Sequence, residues 1–165
     1  MTEHILVRLF EHNNWANSQM IEACVALPDE QLDAAPQSAA LGTIRLTLFH
    51  LVVAQHGYLA LLTLPFEARI RATPSFGELQ QAARISGEGL LALARDEHSD
   101  HLKTQLRTKD GYVVEPWVVM VQAINHATEH REQISSMFSA LGVTPPAMHG
   151  WAYGEVANAV IPVSE

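Results

Sequence analysis

Between Pro116 and Leu141 the chain keeps a helical period for three heptads: Val119, Ala123, His126, His130, Gln133, Met137 and Ala140 recur at three- and four-residue spacing. A stripe of that length has to be buried, so it demands partner elements of comparable length. Its ends are marked too. Pro116 suits a first helical turn, where a missing N–H costs nothing, and Gly142 can close the last turn, with Pro145 and Pro146 beyond.

Three further segments supply the partners. Thr2 can cap a helix running to about Leu27 on a stripe of Leu6, Leu9, Phe10, Ala16, Met20, Ala23 and Leu27, with Pro28 after its stop. Thr43 offers a cap for a second, from Ile44 to about Thr63, whose face is read as Leu46, Phe49, Val53, Ala54, Gly57 and Leu61 with His50 at its centre. Ser75 and Glu78 have the form of a capping box for a third, which should reach about Arg95. Its apolar face, Leu79, Ala82, Ala83, Ser86, Leu90 and Leu93, is thin and weakened by Gly87 and Gly89.

Residues 28–42 read as a long connection with at most a short helical turn. Thr104–Thr108 and Tyr112–Val114 flank Lys109-Asp110-Gly111, a turn suited to a small hairpin. The tail from Ala147 to Glu165, with Trp151 and Tyr153, is expected to pack back on the helices. Together these segments predict an all-α chain, a four-helix bundle forming a single domain over 1–165 with a small hairpin between helices 3 and 4. The long second and third connections leave room for helices to pair out of sequence order.

Composition narrows the function classes. A chain of 165 residues with 48% hydrophobic content can build its own core. Cys24 is the only cysteine, so no internal disulfide can form and a reducing cytoplasm is expected. Cys24 itself reads as a small buried hydrophobe. The start, Met1-Thr2-Glu3-His4, lacks the pattern of a signal peptide, and no segment is expected to approach the roughly 20 apolar residues of a membrane span. With 18 acidic against 10 basic side chains the net charge is −8, which repels phosphate backbones and argues against a nucleic-acid partner.

The nine histidines are the oddity. His126 and His130, four residues apart, project from one helix face and can bind the same ion, and His50 can meet them from a facing helix. Three unpaired imidazoles in a core would cost several kcal/mol in unmet hydrogen bonds, a cost that a shared metal removes. Three neutral imidazoles around zinc leave a fourth position for water or substrate, the arrangement of a catalytic site.

Ala127 follows His126, so the segment is not the HExxH motif of the zincins. Glu129 can act as a base or partner beside His130, or simply be a solvated residue in a helix-surface ion pair. Asn13 and Asn17 fall on or beside the first stripe, where their amides must find partners inside the fold. His4, His12, His56, His98 and His101 are read as surface residues.

Asn14-Trp15-Ala16-Asn17, Gly42-Thr43-Ile44-Arg45 leading to His50, and Asn125-His126-Ala127-Thr128-Glu129-His130-Arg131-Glu132-Gln133-Ile134 carry a further signal. The pattern resembles the DinB/YfiT-like family over most of the chain. The last block looks like that family's HxxxHR segment, followed by Leu141-Gly142 and Pro145-Pro146. His149 stands at about the place where family members commonly carry an aspartate. The resemblance implies His50, His126 and His130 as a metal triad, a down-up-up-down bundle, often dimeric, and a divalent ion that is zinc, nickel, manganese or iron. It also implies low-molecular-weight thiols as reaction partners.

Two expectations follow. The first is a metal-dependent enzyme acting on a small molecule, in which a small thiol is presented to an electrophile for S-transfer or detoxification, with Asn13, Asn17, Glu129 or Tyr153 positioning the substrate. A metal-dependent hydrolase is its close variant. The second is a non-enzymatic stress-response homodimer whose metal stabilises the fold, with a fourth ligand such as His149 closing the shell.

Overall fold

In the computed structural model, which describes residues 4–35, 42–70, 73–96, 98–161 and 163, the chain is mostly helical. The helices are α1 (Ile5–Val25), α2 (Asp29–Leu32), α3 (Ile44–Thr63), α4 (Leu79–Arg95), α5 (Pro116–Ala140) and α6 (Gly150–Val156). Strands β1 (Leu106–Arg107) and β2 (Val113–Val114) form an antiparallel ribbon before α5, with Leu106 opposite Val114. Gly111 takes a φ of +88° in its turn, a conformation that L side chains rarely adopt.

Local chemistry accounts for most of these boundaries. The Thr43 hydroxyl accepts from the Leu46 N–H, and Ser75 and Glu78 form the expected reciprocal box ahead of α4. At the end of α5 the Gly142 N–H donates to Ser139 and the Val143 N–H to Phe138, a Schellman closure that needs the positive φ of Gly142. Val143 then packs on the same cluster as Phe138. Thr2, expected as the first cap, lies outside the described residues. His4 serves α1 instead, its Nδ1 accepting from the Leu6 N–H.

Helix α1 packs mainly on α4 and α5, and α3 on α5 and α4. The apolar interior falls into two clusters. One gathers Met20, Cys24, Leu48, Leu79, Ile134 and Phe138, and the other Val7, Phe10, Leu62, Leu90, Met120 and Ala123. On each long helix buried polar positions lie in sequence between these two sets: Asn13 and Asn17 on α1, Gln55 on α3, Ser86 on α4, His130 and Arg131 on α5, whereas the buried Thr47 sits inside the first set and donates to the carbonyl of Thr43, the cap of its own helix.

That polar layer is hydrogen-bonded across all four helices. Arg131, only 3% exposed, donates to Oδ1 of both Asn13 and Asn17 and to the Thr128 hydroxyl. Asn17 Nδ2 donates to Gln55 Oε1 at 2.7 Å, and Gln55 Nε2 donates to the Ala83 carbonyl and the Ser86 hydroxyl, each at 2.8 Å. Burial pulls the Arg131 guanidinium down to about 10, so it keeps its charge at neutral pH.

Several positions that the sequence places on buried faces are corrected. Leu9, Ala140 and Leu46 are exposed, Leu46 to 56%, and Trp151 is 74% exposed, although the tail packs back on α1 through α6 and Tyr153 as expected. On α3 the core takes Ile44, Leu48, Leu51, Val52 and Gln55 as well as the expected Val53, and the expected Phe49 and Leu61 pack against its clusters, while His50, Val53, Gly57 and Leu61 also border a cavity. Because α3 is apolar nearly all round, its period carries little information about which side faces the core. For the same reason the expectation about membrane spans needs correcting, since α3 is by length and composition apolar enough to cross a membrane. Here it is a core helix held by Gln55. Gly87, read as a weakness in α4, is where α1 comes close: a Cβ there would sit 2.5 Å from Asn14 Oδ1.

Asn17→Ala removes an acceptor from Arg131 and a donor from Gln55. It should lower unfolding free energy by about 2–4 kcal/mol in chemical denaturation, against about 0.5 kcal/mol or less for the peripheral Ser18→Ala. Equal effects for the two substitutions would show that the polar layer contributes nothing beyond packing.

Candidate metal centre

Helix α3 carries His50, and α5 carries His126 and His130 on one face because four residues make slightly more than one turn. Their rings converge. His50 Nε2 lies 3.0 Å and His130 Nε2 3.1 Å from His126 Nε2. The ligand atoms of the three residues all fall within 4.8 Å of one another, so the group can hold a metal ion. Imidazole nitrogens about 2.0–2.1 Å from a tetrahedral zinc are roughly 3.3 Å apart, close to the two separations here.

The protons fit the same conclusion. His130 Nδ1 donates to Gln133 Oε1 at 2.8 Å, which leaves the His130 Nε2 lone pair aimed at the other rings. His126 Nε2 is approached by two nitrogens at once. A single proton can bridge only one of those contacts, whereas a cation at the centre satisfies all three lone pairs. Burial first, then His130 and His50, push the His126 pKa down to about 4, so this ring is neutral and able to ligate at pH 7.

Tyr58 sets its ring edge-on to His126, with centroids 5.6 Å apart. Burial raises its phenol pKa, a hydrogen bond with Gln122 opposes that, and the charge of Glu129 adds to it. His50 alone of the three histidines lines a cavity of about 390 Å³, within the size range of small-molecule sites. The cavity runs over Val53, Gly57 and Leu61 of α3 and is bordered by Arg69, Lys109 and Asp110 from the connections.

The other candidates from the sequence lie elsewhere. Asn13 and Asn17 are buried and hold Arg131, and neither lines this cavity. Glu129 is exposed. Tyr153 packs at a tilt against Trp15, with ring centroids 5.4 Å apart, and edge-on to His12 at 5.6 Å, on the α1 side. His149 is exposed and caps α6, its Nδ1 accepting from the Ala152 N–H. His12 is not a free surface residue, since its Nε2 meets the Met148 carbonyl at 2.7 Å. His56 is half-buried, with its Nδ1 unpartnered among the described residues. Cys24 is fully buried, its thiol pushed up to about 12, and is therefore unreactive.

The structural roles of Arg131, Gln55, Tyr58 and Gln133 escaped the sequence reading. The spacing of Gln133 three residues after His130 was the available signal. An arginine on a helix carries no mark of being buried.

A family model described as DinB family matches residues 1–162. No curated protein matches the chain. A match that begins before α1 and continues past α6 confirms the resemblance carried by the three sequence blocks: the chain belongs to the DinB family.

Proposed function

We propose that this protein is a metal-dependent enzyme whose single divalent ion, zinc first, is held by His50, His126 and His130 and serves thiol-dependent S-transfer. The observation that carries it is the convergence of the three Nε2 atoms at a point where one of the ligands, His50, also borders a cavity. Imidazole suits zinc, and also nickel or iron, whereas manganese takes oxygen ligands more readily. When bound, such an ion keeps its full charge and lowers the pKa of a thiol or a water at its remaining position.

The chain's own residues do the rest. Gln133 fixes which nitrogen of His130 faces the ion, and Tyr58 limits the tilt of His126. The cavity admits a small molecule to the His50 side. A closed structural site is less well supported, because His149 is engaged at α6 and no fourth His, Cys, Asp or Glu joins the group among the described residues.

The scaffold we infer is one domain, a down-up-up-down four-helix bundle. Its support is the order of the two clusters along each helix. Helices α1 and α5 enter through the cluster of Phe10 and Met120 and leave through that of Met20 and Phe138, while α3 and α4 run the opposite way. An experimental structure with α3 and α4 antiparallel would overturn that order.

Elemental analysis of the untagged protein should find about one divalent ion per chain, and His50→Ala and His126→Ala should each lose most of it. Wild-type metal content in both variants would remove the site. For the chemistry, the metal-loaded protein should turn over monochlorobimane with bacillithiol, mycothiol or glutathione and lose that activity when stripped. Hydrolysis in an ester panel, with no thiol turnover, would instead favour the hydrolase.

A further inference from the structure

The cavity beside His50 is apolar along α3, yet two cations stand at its border. Arg69 donates from Nε to the Leu64 carbonyl at 3.0 Å and from its NH1 to the Arg107 carbonyl, and Lys109 Nζ donates to the Arg69 carbonyl at 2.7 Å. The guanidinium of Arg69 also lies over Phe66, 5.7 Å from the ring centroid, with that of Arg107 at 5.8 Å. These contacts tie the connection after α3 to the hairpin.

All of the anchors are neutral. Among the described residues neither Arg69 nor Lys109 forms an ion pair with a carboxylate, although the protein as a whole is strongly acidic. Each cation retains N–H groups beyond those its carbonyl partners use, since arginine has five and lysine three. Among the described residues Asp110 is the one acidic side chain on the lining. Among the described lining residues, two positive charges against one negative leave the border itself at net +1 before any ion at His50 is counted, and Asp110 beside the cations repels a dianion more than a singly charged anion.

We propose that this cavity binds an amphipathic monocarboxylate, its carboxylate against Arg69 and Lys109 and its apolar body along Val53, Gly57 and Leu61. The proposal rests on the cavity being the substrate side of the metal centre, and it names the class of substrate. Gly57 supplies an independent handle, because a Cβ built there meets nothing within 4 Å. A leucine at this position starts from a Cβ that meets nothing, adds bulk on the cavity's lining and favours the helix.

The test is calorimetric titration of the full chain with octanoate, both as metal-loaded protein and after stripping. Octanoate should bind saturably in both forms, and octanamide and octyl phosphate should each bind about tenfold more weakly or worse. Arg69→Gln and Lys109→Met should each weaken octanoate by about tenfold, and Gly57→Leu should abolish it while keeping the melting temperature. The zinc content of all three variants should stay at the wild-type level, so a failure here is separable from a failure of the histidine site. Absence of saturable binding, equal binding of acid and amide, a preference for octyl phosphate, or binding that needs the metal and ignores Arg69→Gln would each overturn the proposal.

Discussion

A guanidinium taken out of water is costly unless its N–H groups are met, and Arg131 is met by amide and hydroxyl oxygens rather than by a carboxylate. Those partners stand on α1 and on α5 itself, and Asn17 passes the network on to Gln55 and from there to α4. The network therefore fixes how α5 is rotated about its own axis. Residues adjacent on a helix diverge by about 100°, so an α5 that turns Arg131 toward α1 turns His130 toward α3. The histidines meet His50 because the arginine next to them has somewhere to go.

The same layer separates two apolar clusters, which explains a polar interior in a chain with enough hydrophobic residues to do without one. Replacing such a layer by apolar residues is often neutral for stability, so its retention is better understood as specifying one arrangement of helices over others. A three-histidine group needs that specificity, since imidazoles misplaced by an ångström no longer share an ion.

Local chemistry made much of this legible. The bounds of α3 and α5 follow from Thr43, Pro116 and Gly142, each acting within a few residues of its own position. The histidines could be read because they interrupt an apolar seam at helical spacing. The core side of α3 could not, because a helix apolar on most of its surface leaves the choice to its neighbours. Arg131 looked like any helix-surface arginine, and its burial depends on amides more than a hundred positions away in sequence. The cavity was equally invisible, since Arg69 and Lys109 reach it from two separate connections.

X-ray absorption at the zinc edge, on untagged zinc-loaded protein without added thiol, addresses the central claim most directly. A first shell containing three imidazole nitrogens at about 2.0–2.1 Å is the predicted result. A shell with fewer than three imidazoles, or one dominated by oxygen, would contradict it.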